Sequence, residues 1–144
     1  MKTLYDALRD SHDRQRHLCL RLTRTGARHP DRRQAILDEL KVELAAHAAA
    51  EERYLYAPIL MDDLGLDASR HALAEHHKID EAVETLEQLA PDGEAWGQHA
   101  KGLAHAVRHH LKEEETRFFQ VSGRILLAKA YEKDYARLQR KLAA

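Results

Sequence analysis

Two histidine–glutamate pairs with a four-residue spacing are the residues in this sequence best placed to do chemistry. One pair is His47 and Glu51, and the other is His110 and Glu114. Residues four apart in an α-helix lie one turn apart on the same face, so each pair presents an imidazole beside a carboxylate. If the two helices face each other in a bundle, four nitrogen and oxygen donors meet at one point. Such a point suits a metal cation better than it suits an apolar core.

Both pairs fall on the apolar face of their helices. The first continues the line of Leu40, Leu44 and Leu55, and the second continues the line of Leu103, Val107 and Phe118. A carboxylate therefore stands twice where the helical period calls for an apolar residue. A buried, unpaired carboxylate is costly in free energy, and a bound cation would remove that cost.

Histidines also continue the apolar faces of two further helices. His12 follows Leu8 by four residues, and His76 follows Leu73 by three. The predicted metal ligands, taken from four helices, are thus His12, His47, Glu51, His76, His110 and Glu114. Four imidazoles and two carboxylates can bind a dinuclear centre in which each glutamate bridges the metals. Mixed nitrogen and oxygen ligation without thiolate suits iron or manganese more than structural zinc, although zinc and mixed centres stay open alternatives.

Other histidines in the sequence have simpler interpretations. Three more pairs have the same spacing but fall off the apolar line, and we interpret them as solvated faces: His71 with Glu75, His77 with Glu81, and His109 with Glu113. The third helix leaves a choice between His76 and His77, and the apolar period favours His76. A single histidine on an apolar face is more often a hydrogen-bonded core residue than a ligand. Because a histidine lies on the apolar face of each of the four helices, we favour a metal site.

Two aromatic residues are candidates for contact with a bound cofactor. Tyr54 lies three residues after Glu51, where its phenol could ligate Fe³⁺ or donate to a ligand on the metal. A core tyrosine with a satisfied hydroxyl is the competing interpretation, and the one that we favour. Phe118 lies one turn after Glu114, where it would limit the access of solvent.

The pattern of apolar residues predicts an all-α fold. Helices are expected over about 3–25, 31–61 and 68–90, followed by a fourth that ends near Ser122 and Gly123. Six glycines and three prolines leave few helix breakers among 144 residues, and no segment alternates like a strand. The prediction is an up-down-up-down four-helix bundle over about 3–123 with a short fifth helix over about 124–142, in one domain spanning 1–144.

Composition restricts the partners and the compartment. The net charge is −1 with a pI near 6.8, so nothing attracts nucleic acid or an anionic membrane over long range. No apolar run approaches the ~20 residues of a membrane span. The lone cysteine, Cys19, cannot form an intramolecular disulfide and predicts a cytoplasmic location. The oligomeric state is left open.

These residues resemble the patterns of a known family. Residues 47–58 resemble a second-helix pattern of His-x-x-x-Glu-Glu followed by Leu-Tyr-Pro, with Ala57 inserted before the proline. Residues 110–119 resemble the fourth-helix pattern, although Gln120 replaces its usual proline. Glu75 and His76 fit the third helix, and His12 fits the first. Over about 5–125 the chain resembles the hemerythrin family, in its HHE cation-binding branch.

The resemblance implies a function as well as a fold. It implies two iron ions, Fe²⁺ or Fe³⁺, bridged by two carboxylates and an oxo or hydroxo group, that react with dioxygen, peroxide or nitric oxide. Oxygen carriers of the family use five histidines, and Ala72 and Asp80 here replace the possible second histidine of helix three. We therefore expect faster autoxidation than in the carriers, and hence sensing, detoxification or iron handling.

Three alternatives differ in class from a binding or sensing protein. Weak catalase-like or peroxidase-like turnover at the same centre would make the protein an enzyme. A ferritin-like oxidase is disfavoured because that class uses Glu-x-x-His, which occurs nowhere in this sequence. A plain interaction bundle with surface histidines predicts no stoichiometric metal.

Overall fold

The computed structural model describes residues 3–129, and their side chains up to residue 126. Four long helices account for nearly all of this part of the chain, which contains no strand. The predicted all-α, up-down-up-down bundle is confirmed. Helix α1 is Leu4–Arg24, and Thr3 and Asp6 cap its first turn reciprocally. Helix α3 is Asp63–Glu87, capped by the Asp62 side chain.

Helices α2 and α4 are long and each contains one wider π-helical turn. Helix α2 runs through Pro30–Glu51, the π segment Glu52–Tyr56 and Ala57–Ile59. Helix α4 runs through Glu94–Glu113, the π segment Glu114–Phe118 and Phe119–Lys129. The defining hydrogen bonds span five residues, from the amide of Ala57 to Glu52 and from that of Phe119 to Glu114. Such turns often mark functional sites.

The predicted end of the fourth helix needs a correction. Helix α4 does not end near Ser122 and Gly123 but continues through both to Lys129, where the description ends. The Ser122 hydroxyl lies 3.0 Å from that of Tyr5 on α1, so this turn packs into the bundle. Residues 124–129 of the predicted fifth helix therefore belong to α4, and the remainder of that prediction lies outside the described residues.

The apolar core is divided into two clusters along the bundle. One contains Cys19, Leu37, Leu86 and Trp96 among its buried members. The other contains Leu8, Tyr56, Ala72, Phe118 and Phe119. The candidate ligands on α1, α2 and α3 lie between residues of the two clusters, and on α4 His110 and Glu114 lie where the first cluster ends and the second begins. A polar layer is therefore enclosed between two apolar ones, which shield it from water along the bundle axis.

No helix in the described part of the chain is both long enough and apolar enough to cross a membrane.

The thiol of Cys19 should be almost unreactive in the folded protein. The residue is fully buried, and burial raises the pKa of the thiol to about 11. Thiolate is the reactive form, so a rise from 9.0 to about 11 lowers its fraction about 100-fold at neutral pH. Reaction with a disulfide reagent should be at least that much slower in native than in denatured protein. Rapid labelling of the native chain would contradict the packing described above.

Candidate metal centre

All six predicted ligands lie in the polar layer between the two apolar clusters. His76 is the most exposed of them at 8%, and Glu51 and His12 are at 0%. Each helix contributes at least one imidazole, and the two carboxylates come from α2 and α4. Charged and polar side chains are rarely buried this completely unless they are paired or coordinate a metal.

The donor atoms form two groups of four that share both glutamates. One group is His12, His47, Glu51 and Glu114, and the other is Glu51, His76, His110 and Glu114. Within each group the donor atoms lie within 4.8 Å of one another. Two cations can therefore be held side by side, with each carboxylate in a position to bridge them.

The shortest contacts give the same assignment. Oε1 of Glu51 lies 3.0 Å from Nε2 of His47 and 3.2 Å from Nε2 of His76, which belong to different groups. Oε1 of Glu114 lies 3.1 Å from Nε2 of His12 and 3.4 Å from Nε2 of His110, again one from each group. Each glutamate thus reaches across both halves of the centre.

The hydrogen-bonding state of these atoms fits a cation. Neither carboxylate oxygen of Glu51 accepts a hydrogen bond, and Nε2 of His47 makes none. The two atoms of the closest pair, His47 Nε2 and Glu51 Oε1, approach without the alignment of a hydrogen bond. A buried acceptor without a donor is costly, and a metal ion that accepts its lone pair removes the cost. The residues present therefore fit bound metal.

Polar partners outside the centre fix three of the four imidazoles. Nδ1 of His12 donates to Glu115 at 2.6 Å, and Nδ1 of His110 donates to Glu75 at 3.0 Å. Nδ1 of His47 lies 2.9 Å from the Ser11 hydroxyl, which donates its own proton to Glu43 and so accepts from the ring. These bonds leave the Nε2 lone pairs facing inward and raise their basicity.

The partner of His12 is itself held by an arginine. Arg16 contacts both oxygens of Glu115, at 2.6 and 3.1 Å. Burial raises the pKa of Glu115, but the hydrogen bonds from Arg16 and His12 outweigh it and the pKa is lowered. Glu115 therefore stays ionised and keeps the proton of His12 on Nδ1.

Charge in the metal-free centre is balanced by protons on imidazoles. Burial lowers the pKa of His47, but the carboxylates of Glu51 and Glu114 outweigh it and raise the pKa to about 10. The pKa of His110 is also raised, because Glu75 and Glu114 outweigh burial. Metal ions would take over the balance that these protons provide.

The tyrosine at the centre is Tyr56 rather than Tyr54. The Tyr56 hydroxyl donates to Oε2 of Glu114 at 3.2 Å and lies 3.3 Å from Nε2 of His76. Tyr54 is half-buried against the second apolar cluster, with the Arg53 guanidinium over its ring. The π turn after Glu51 causes the difference, because its five-residue hydrogen bonds bring residue 56 into line with residue 51.

Phe118 and its neighbour enclose the centre on the side of the second apolar cluster. Phe118 packs edge-on against Tyr56, with 5.0 Å between ring centroids, and lines a cavity of about 340 Å³. Phe119 stacks on the His12 ring at 5.4 Å. The predicted position of Phe118 beside the centre therefore agrees with the structure, and Phe119 shares that role.

The interpretation of the other pairs as solvated faces needs a partial correction. His77 and Glu81 are exposed, as expected, and so is His109. Glu75 is instead largely shielded, at 16% side-chain exposure, and bonds to His110. Glu113 is also half-buried, and His71 contacts it at 3.1 Å. Glu115 and Ser11 were not predicted as partners of the histidines, because their contacts cross between helices and carry no signal in the helical period.

The family model for the hemerythrin HHE cation binding domain matches residues 3–121. The chain belongs to this family. Among solved structures, the chain is similar to a hemerythrin HHE cation binding domain-containing protein from Mycobacterium kansasii. The TM-score is 0.82 at 22% identity, covering 99% of this chain and 84% of the other. At that identity the likeness concerns the fold. No curated protein was found to match the sequence.

Replacing either shared carboxylate should deplete both halves of the centre. We expect Glu51→Ala and Glu114→Ala each to lower the bound metal to well under half of the wild-type content. A metal that binds only the folded state adds about 2–3 kcal/mol to the free energy of unfolding near saturation. The variants should therefore also lose the difference in melting temperature between metal-loaded and chelated protein.

Glu81→Ala is the matched control for these variants. Glu81 also pairs with a histidine four residues away, His77 at 2.6 Å, but on an exposed surface. The metal content of the Glu81→Ala variant should equal that of the wild type by elemental analysis. Unchanged metal content in Glu51→Ala and Glu114→Ala would refute the assignment of these two glutamates as metal ligands.

Proposed function

We propose that this protein binds two iron ions in the centre and reacts there with dioxygen, peroxide or nitric oxide. The observation that carries the proposal is the pair of buried donor groups that share Glu51 and Glu114. A mononuclear site would need only one such group. Two buried carboxylates placed between four imidazoles are best explained by two cations.

The ligand set favours iron. Each ion would receive two imidazoles and the two shared carboxylates, which leaves coordination positions open for a small ligand. Imidazole and carboxylate without thiolate suit iron, and Cys19 lies away from the centre in the first apolar cluster. When bound, such iron supplies one-electron redox chemistry between Fe²⁺ and Fe³⁺ to a small oxygen or nitrogen ligand.

The protein surroundings favour sensing or detoxification over reversible oxygen carriage. Two anionic carboxylates beside four neutral imidazoles favour the higher charge of Fe³⁺ electrostatically. The apolar clusters on both sides exclude bulk water. That exclusion alone would favour reversible binding, but the Tyr56 hydroxyl, which contacts both a shared carboxylate and an imidazole, places a hydrogen-bond donor inside the centre.

Tyr56 is also the observation that favours a second candidate, catalase-like turnover of peroxide. Burial, followed by the charges of Glu51 and Glu114, raises the pKa of this phenol, so it stays protonated. A protonated hydroxyl beside the centre can donate a hydrogen bond to an oxygen atom of a small ligand. Peroxide disproportionation to dioxygen and water needs such a donor and no external reductant.

Iron content and colour test the proposal together. Freshly purified, untagged protein should contain about two iron ions per chain by elemental analysis. Its oxidised form should show a near-ultraviolet to visible ligand-to-iron charge-transfer band that dithionite bleaches and air restores. A colourless protein with another metal, or with no metal, would refute the iron assignment.

Tyr56→Phe should separate metal binding from reactivity. The variant keeps the ring that packs on Phe118 but loses the hydroxyl, so the iron content should stay at the wild-type value. Loss of one hydrogen bond worth about 1 kcal/mol should slow the reaction of the reduced protein with peroxide roughly fivefold. Stopped-flow absorbance measures this rate. Tyr54→Phe is the control and should react like the wild type, whereas equal rates in all three proteins would exclude Tyr56 as the donor.

A further inference from the structure

A second group of potential ligands lies at the surface, beside the centre but outside it. It consists of His71 and Glu75 on α3 and Glu113 on α4, which we call the outer cluster. Nε2 of His71 lies 3.1 Å from Oε2 of Glu113 and 3.4 Å from Oε1 of Glu75. One donor atom from each residue lies within 4.8 Å of the other two.

The outer cluster borders a cavity that reaches the buried centre. The cavity has a volume of about 340 Å³, and its walls include all three residues of the outer cluster together with His110, Glu114 and Phe118. The opposite charges of Asp67 and Arg117 also line it. A cation at the outer cluster would therefore lie within the same cavity as two ligands of the centre.

The charges of the outer cluster call for a cation. Glu75 and Glu113 bring two carboxylates to the same place, within reach of one imidazole. His71 is more than half exposed, so its Nε2 lone pair can bind a metal from solvent at little desolvation cost. One imidazole and two carboxylates from two rigid helices, with water completing the shell, form a three-ligand site for a divalent transition metal.

We propose that His71, Glu75 and Glu113 form a third cation site, which captures a divalent first-row metal ion at the mouth of the cavity. The binding claim stands on the outer cluster alone. The capture role rests on the proposed function, because it assumes that the centre beyond takes up metal. Glu75 connects the two sites, since it is both an outer ligand and the hydrogen-bond acceptor of His110.

A neighbouring pair provides a matched control. His77 and Glu81 lie on the same helix with the same spacing, and Nε2 and Oε1 are 2.6 Å apart. This pair has no third ligand from another helix, belongs to none of the ligand groups found in the described residues and does not line the cavity. It should therefore bind a metal much more weakly than the outer cluster.

Equilibrium binding of Zn²⁺ tests the site. Protein purified with its centre loaded is titrated with Zn²⁺ against a chromophoric chelator. The wild type and His77→Ala should each bind one further equivalent with a micromolar dissociation constant. His71→Ala and Glu113→Gln should bind it at least tenfold more weakly, with normal helix content by circular dichroism. Absence of the extra equivalent in the wild type, or its persistence in both variants, overturns the site.

The same titration on Glu51→Ala separates this site from the centre. The outer equivalent should persist in that variant, because none of its ligands is changed. If the centre holds no metal but the outer cluster binds its one equivalent of Zn²⁺, the proposed function fails and the third cation site stands. If the centre binds metal and the outer equivalent is absent, the site fails alone.

Uptake kinetics test the capture role. Metal-depleted protein is mixed anaerobically with limiting Fe²⁺, and filling of the centre is followed over time. His71→Ala should fill several-fold more slowly than the wild type and His77→Ala, yet reach the same final stoichiometry. Equal rates in the three proteins would overturn the capture role.

Discussion

Two carboxylates buried in the middle of an apolar bundle are the constraint on which this structure depends. Glu51 and Glu114 lie between two apolar clusters, where ionised groups without compensation are costly. Four imidazoles surround them, one from each helix, so the compensating charge is drawn from the whole bundle. Under the proposed function, a pair of cations at this level would link all four helices at once. Metal binding and folding are therefore expected to be coupled, although protons on the imidazoles can balance part of the charge in its absence.

Hydrogen bonds to the outward-facing Nδ1 atoms fix the orientation of three of the four imidazoles. Glu115 with Arg16 holds His12, Ser11 with Glu43 holds His47, and Glu75 holds His110. Each of these bonds selects the tautomer whose Nε2 lone pair points to the centre. Nδ1 of His76 makes no hydrogen bond, and the nearest carboxylate oxygen, on Glu52, is 3.9 Å away. Among the four imidazoles, His76 is therefore the least fixed and the freest to adjust to a ligand.

The positions of the helices and of the six candidate ligands in one layer could be predicted from the sequence, because both follow from a regular helical period. Tyr56, and not the candidate Tyr54, lies beside the centre, because the helical period changes in the π turn after Glu51. The end of α4 was also misplaced, because Gly123 is accommodated within the helix, close to Tyr5. Glu75 was interpreted as part of a solvated face and Glu115 was not predicted at all, because both act on histidines of other helices and no spacing along one helix encodes such a contact.

The two halves of the centre differ in their surroundings. His12 and His47 are backed by the ion pairs of Glu115 with Arg16 and of Glu43 with Arg14, which close that side. The other half carries His110 and Glu114, which line the cavity, and the Tyr56 hydroxyl contacts Glu114 as well as His76. If a small ligand binds here, the hydrogen-bond donor, the least constrained imidazole and the route from solvent all lie on this second half. Under the proposed function, this asymmetry favours ligand binding at the half formed by His76 and His110, and it gives the half formed by His12 and His47 a mainly electrostatic and structural role.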